Sequence, residues 1–234
     1  MSRVLVPLAV LKGETVSPGL MNLLGTVDVT VLGYHVPPDQ TSTEQARSQF
    51  GDRAKSALED ISQEFQQAGG DADYRLVFTH DRNQTVQRVA DEIDARSLIT
   101  TGATGDVEQL LVSLSGDVDT QEILSFVSEL IANREIGVTL LAVSNRTGDV
   151  ESRLKDAASH LSSEGIDVET VAKTGSAFDA ITETIEGHDA VVLGEKAPSL
   201  TPLIFGDKTD QIASTTVGPV LVVRTKEQHT VDDS

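Results

Sequence analysis

Asp189–Arg224 reads DAVVLGEKAPSLTPLIFGDKTDQIASTTVGPVLVVR. An apolar run, Ala190 to Leu193, ends on Gly194. A loop follows, then a predicted helix over GDKTDQIASTTV, then a second apolar run from Pro219 to Arg224. Neither apolar run alternates with polar residues, as expected of strands whose two faces are both covered by helices. Strand, loop, helix and strand in this order imply parallel pairing with a right-handed crossover.

Working outward, the chain is written twice. Val4 to Val36 parallels Leu110 to Val143, each reading as short apolar strand, polar turn, amphipathic helix and apolar strand. Asp71 to Gly105 parallels Gly165 to Ala197. Between the matched parts each half carries one further helix. In the first half Ala46, Phe50, Ala54, Ala57, Leu58, Ile61 and Phe65 recur at three- and four-residue steps. In the second half Val150, Leu154, Ala157, Ala158 and Leu161 do the same, and Val86, Val89 and Ile93 match Phe178, Ile181 and Ile185 in the last matched helix. The fold class is therefore α/β, two doubly wound parallel-sheet units.

The halves are unequal at one point. After SLITTG the first half has only Ala103 to Glu108 before QLLVSL begins, so it lacks a last helix and strand. The alternative is that QLLVSL closes the first sheet and the second lacks an opening strand. The match of QLLVSLSGD to RVLVPLAVL favours the former. This gives a truncated unit over residues 1–107, a complete one over 108–225 and a disordered acidic tail over 226–234.

Charge narrows function. Eighteen basic against 37 acidic residues leave a formal charge of −19. Nucleic-acid binding would need a concentrated basic patch against that field, and none is visible. The same field repels acidic ligands unless salt screens it. Many acids, few lysines, few aromatics and no tryptophan resemble proteins of salt-accumulating archaea; the alternative is an ordinary acidic cytosolic protein. With no cysteine, thiol chemistry, disulfides and cysteine metal sites are excluded. No apolar run approaches the ~18 residues of a membrane helix, and the first residues lack signal-peptide architecture. A cytoplasmic location is expected.

Nearly the whole chain resembles the universal stress protein superfamily in its tandem form, and Asp189–Arg224 is the best single stretch. The resemblance implies an adenine-nucleotide-hydrolase-like fold, strand order 3-2-1-4-5, with a last strand that commonly mediates dimer contact. A homodimer, or another protein partner, through residues 219–224 is the expectation. If that strand lies at a sheet edge, its backbone groups need a partner, which could also be the incomplete edge of the first unit.

Many members bind ATP through Gly, two residues, Gly, nine residues, and Gly followed by Ser or Thr. Glycines let backbone amides approach phosphates, and a helix N-terminus adds positive dipole. In the second unit Gly194 matches the first glycine, Ala197 replaces the second, and Gly206 follows after eight residues. Asp207 stands where the hydroxyl belongs, with Lys208 next to it. Two like charges about 4 Å apart cost roughly 1 kcal/mol in water and about 4 at an intermediate dielectric. In the first unit Gly102 and Gly105 fit the opening pair, but no helix starting Gly-Ser follows. The family's first-strand Asp is Ala9 in one unit and Ser115 in the other, and Val36 and Val143 fall where it packs near adenine. Possible nucleotide contacts are thus Gly102, Gly105, Val143, Gly194, Gly206 and Lys208. Neither unit carries a complete site, so no cofactor is expected, ATP or AMP being the alternative.

No catalytic or metal constellation stands out. The five histidines, His35, His80, His160, His188 and His229, make no ligand spacing. Asp81 and Ser176 read as helix N-caps. The expected role is regulatory and non-enzymatic, exercised through protein contacts; the alternative is an ATP- or AMP-binding stress sensor using the 194–208 or 102–105 loop.

Overall fold

The computed structural model describes residues 1–70, 72–144, 147–196 and 218–225, without the side chains of residues 147–149. The expected helix over 206–217 and the tail from 226 lie outside the described residues.

The first half runs β1 (Arg3–Leu8), a 3-10 turn (Val10–Lys12), α1 (Pro18–Leu24), β2 (Asp28–His35), α2 (Thr43–Gln67), β3 (Ala72–Phe78), α3 (Arg82–Glu92) and β4 (Ser97–Thr100). The second half repeats it as β5 (Gln109–Ser113), α4 (Thr120–Ile131), β6 (Gly137–Val143), α5 (Thr147–Ser163), β7 (Val168–Lys173), α6 (Ala177–Thr184) and β8 (Ala190–Gly194), and then adds β9 (Val220–Val223). The long helix α2 begins with a capping box, Ser42 with Gln45, which satisfies two otherwise orphaned amides. Asp81 and Ser176 cap α3 and α6 by accepting from Gln84 N (2.9 Å) and Asp179 N (3.4 Å).

All nine strands form one sheet, in the order β3-β2-β1-β4-β9-β8-β5-β6-β7. β5 pairs with β6 and β8, so QLLVSL opens the second unit. Taken alone, the second half has the order 3-2-1-4-5, while the first stops at its fourth strand. The two doubly wound units share a single sheet, because β9 pairs parallel with β8 and antiparallel with β4. Residues 219–224 are therefore not an edge. Both backbone edges of β9 are taken within the chain, which leaves the expected homodimer through this strand no open edge to use. The first unit's incomplete edge receives the strand.

Helices cover both faces. On one side α1, α2, α4 and α5 pack against Val4, Val6, Val29, Leu110, Val112 and Leu140. On the other α3 and α6 pack against Leu5, Leu32, Leu98, Leu111 and Leu141. β9 divides its side chains between the layers: Leu221 and Val223 enter the first, Val220 and Val222 the second. A strand apolar on both faces requires this interior place.

The seam between halves is pinned at one end by Arg96. Its Nε donates to Glu122 Oε1 (2.6 Å), its Nη1 to Ser2 Oγ (2.7 Å) and Glu129 Oε2 (3.3 Å), and its Nη2 to Glu122 O (3.2 Å). The side chain is only 14% exposed and its guanidinium lies over Phe126. Glu129 also accepts from the Ser2 amide and hydroxyl. Burial pushes the Glu129 carboxyl up, but the Ser2 hydrogen bonds, the terminal ammonium and Arg96 together hold it below the usual carboxylate range. A carboxyl depressed in the folded state adds stability above its unfolded pKa and loses it as pH falls through the folded value. Arg96→Ala is expected to cost about 2–3 kcal/mol in urea unfolding near pH 7, the range for hydrogen bonds to charged groups. Glu129→Gln should flatten the decline of stability below about pH 5, read as urea midpoints along a pH series.

Candidate functional site

The antiparallel seam sets the two units head to tail, so the C-terminal ends of β1 and β4 lie at one end of the sheet and those of β5 and β8 at the other. The first unit's candidate loop, Gly102 to Gly105, and the second unit's Val143 and Gly194 are thus not brought together.

At the first unit's end, β1 leads into the 3-10 turn, and Glu14 Oε2 reaches back to accept the amide of Ala9 (2.6 Å). A carboxylate of the chain itself thus takes the strand-end donor. Ser17 flanks α1 without bonding its amides; its Oγ donates instead to Gly102 O (3.2 Å). A Cβ on Gly19 would lie 1.6 Å from Gly105 O, and one on Gly102 would lie 2.5 Å from Gly218 C. The 102–105 segment is therefore wedged between the first turn of α1 and the entry to β9. It presents carbonyl oxygens to the helix end, where an anion cradle would present amides. Gly102 and Gly19 serve close backbone approach.

At the second unit's end, Ser115 stands at the first-strand position and is 1% exposed. Its Oγ accepts from Ser113 Oγ and from Val143 N, both at 3.1 Å, so the hydroxyl is held inward. Val143 is buried beside it. Gly116 turns the chain with a φ of +86°, and Arg153 of α5 donates to its carbonyl from Nη1 (3.4 Å). The Arg153 Nε is buried and has no hydrogen-bond partner among the described residues. Gly194 is roofed by its neighbours: a Cβ there would lie 2.7 Å from Val118 Cγ1 and 3.1 Å from Ile123 Cδ1. Beyond it Glu195 turns to β9, its amide donating to Val223 O (2.8 Å) and its carboxylate accepting from Thr225 N (3.3 Å). Ala197, Gly206, Asp207 and Lys208 lie outside the described residues.

The histidines are structural or solvent-facing where described. His35 stands edge-on to Phe50 and Phe78, and burial, with Lys12 nearby, lowers its pKa. His188 Nε2 is 2.8 Å from Thr139 Oγ1, and His160 lies 3.6 Å from Glu164. Val36, the first unit's counterpart of Val143, is 45% exposed. Among the described residues no group of three or more His, Asp or Glu could hold a metal ion, and no helix is long and apolar enough to cross a membrane. Glu14, Gly19, Val118 and Arg153 were not legible as site residues, since each acts through a tertiary contact that no spacing announces.

The chain is a doubly wound α/β unit repeated head to tail across one sheet. No family model matches the sequence, and no curated protein matches it. Solved structures do resemble it. A universal stress protein from Archaeoglobus fulgidus DSM 4304 superposes with a TM-score of 0.68 at 16% identity, over 97% of each chain. A functionally unknown protein, PA1789 from Pseudomonas aeruginosa PAO1, gives 0.53 at 14% identity, over 96% of this chain and 92% of that one. The chain has the universal stress protein fold, matched over 97% of its length.

Two glycine substitutions separate the roles of the first loop. Gly19→Ala is expected to lower stability by about 1–3 kcal/mol, because backbone must move to admit the methyl group. Gly105→Ala meets open space and should stay within about 0.5 kcal/mol of the parent. Urea unfolding midpoints of both variants check this.

Proposed function

We propose that the chain is a tandem universal-stress-type regulatory protein of the cytoplasm, without an enzymatic site, that acts through protein contacts. The observation that carries the reading is the first unit's loop. Its oxygens lie over the first turn of α1, and Glu14 takes the amide of Ala9 at the end of β1. Backbone oxygens packed on the first turn of a helix occupy the place where a phosphate would meet its amides, so a phosphate would have to displace them. In the second unit Gly194 packs under Val118 and the Ser115 hydroxyl is bonded inward.

One observation favours a second reading, an ATP- or AMP-binding sensor using the second unit. The Arg153 guanidinium stands at that unit's strand ends with a buried Nε unpartnered among the described residues, and it would favour an anion there. Calorimetric titration with Mg-ATP and with AMP in high-potassium buffer separates the two. The regulatory reading expects no saturable heat up to about 1 mM nucleotide, weaker than roughly −4 kcal/mol. Saturable micromolar binding that Arg153→Gln weakens at least tenfold would replace it with the sensor.

The formal charge of −19 fits a salt-rich cytoplasm, where at about 1 M salt the screening length falls to roughly 3 Å and self-repulsion fades. Stability should then rise steadily with potassium chloride in thermal unfolding; full folding without added salt would count against a halophilic origin.

A further inference from the structure

The chain divides at a seam rather than at a linker. Among the described residues, the contacts that join the halves lie across β4 and β9, at the loops that flank them and between the neighbouring helices. Ser97 Oγ donates to Val222 O (2.9 Å), Thr100 Oγ1 accepts from Val220 N (3.3 Å), and Arg224 binds Asp91 and Ala95 O. Thr26 Oγ1 donates to Leu130 O (3.0 Å) and Arg134 Nη1 to Asn22 O (2.6 Å), joining the C-terminal ends of α1 and α4. With the Arg96 cluster these contacts form a surface on each half that fits the other half of the same sequence.

The covalent connection is short and anchored at both ends. Residues 101–108 run from the end of β4 to the start of β5, past two intervening strands, a lateral span of about 14 Å. Gly105 is fixed against Gly19 of the first half. Glu108 and Gln109 donate their amides to Asp189 Oδ2 of the second half, at 2.8 and 2.9 Å. Only Asp106 and Val107 lie between the two anchors.

We propose that the β4–β9 seam is an assembly surface whose partner is a second copy of this chain, the two copies trading second halves about a hinge at Asp106–Val107. In the exchanged dimer β9 of each copy completes the sheet of the other. Every seam contact is reproduced, and only the hinge changes conformation. Domain swapping is a low-cost route to dimers for this reason. The balance is set by concentration, because a short flexible connection holds its two ends at an effective concentration in the millimolar range. A first unit that lacks its own fifth strand cannot close its sheet without such a donor, whether intrachain or from a partner copy.

The chain has no cysteine, which makes the test clean. Ser97 and Val223 are directly opposed across the antiparallel pair. Arg224 N donates to Arg96 O in the neighbouring pair, so 97–223 is a non-hydrogen-bonded position, where Cα atoms lie about 4.5 Å apart and a disulfide fits. Ser97→Cys with Val223→Cys, refolded from urea and oxidised at about 1 µM and about 1 mM, reads which copy provides the strand. The expected result on a non-reducing gel is intrachain monomer at the low concentration and a covalent dimer approaching half of the protein at the high one. Deleting Asp106 and Val107 in the same variant should shift it to covalent dimer even at micromolar concentration. Monomer alone at 1 mM would overturn the proposal, as would a light-scattering dimer whose cysteines close within each chain. If the deletion variant does not fold, the concentration series on the intact hinge decides alone.

Discussion

The fold depends on one strand being bonded on both edges. Four residues, Val220 to Val223, give parallel hydrogen bonds to β8 and antiparallel ones to β4, and their side chains enter both helical layers. An unpaired backbone amide or carbonyl buried under helices costs about 1–3 kcal/mol. A four-residue edge on β4, with Ser97 fully buried and Leu98 and Ile99 beside it, could not be left without a partner at tolerable cost. The missing helix and strand of the first unit are therefore compensated rather than simply lost. The same requirement fixes the relative orientation of the halves, because the only free side of β9 runs antiparallel to β4.

Electrostatics then concentrates where the halves meet. Most of the chain's charge is acidic and solvated, and ion pairs such as Arg75–Glu92 or Lys55–Glu59 are exposed and contribute little. Arg96 differs because it is largely buried and shares its donors among Ser2, Glu122 and Glu129 from both halves. A planar guanidinium can satisfy several acceptors in fixed directions, which a lysine could not. The protein thus places a well-coordinated cation at the seam.

Much of this architecture was legible because it rests on period and repetition. The stripe from Ala46 to Phe65 faces the core as its spacing implies, and the 110–114 run opens the second unit as its match to RVLVPL implies. The N-caps Asp81 and Ser176 follow from local side-chain chemistry. What a strand pairs with is a different kind of information. A run apolar on both faces says that both faces are covered, but it is silent about which strands occupy its edges, so Val220–Val223 could read equally as an intermolecular edge. The candidate loops were ambiguous for a similar reason. Glycine permits the close approach of a phosphate and of another backbone alike, and only the positions of Gly19 and Gly218 decide that Gly102–Gly105 meets backbone. Glu14 gave no signal, since a carboxylate returning to an amide five residues earlier is set by the turn between them.

The head-to-tail seam also bears on how two related ends in one chain can diverge. Because β4 and β9 run in opposite directions, the C-terminal strand ends of the two units lie at opposite ends of the sheet, and among the described residues neither contributes a side chain to the other. A change at one end is felt at the other only through the stability of the shared sheet. The first end could therefore be closed by Glu14 and by the 102–105 carbonyls without altering the polar groups around Ser115 and Arg153. Closing it also strengthens the seam, since Gly102 packs directly on Gly218 where the chain enters β9. In the first unit Gly102 and Gly105 are part of the joint between the end of β4, the first turn of α1 and the entry to β9.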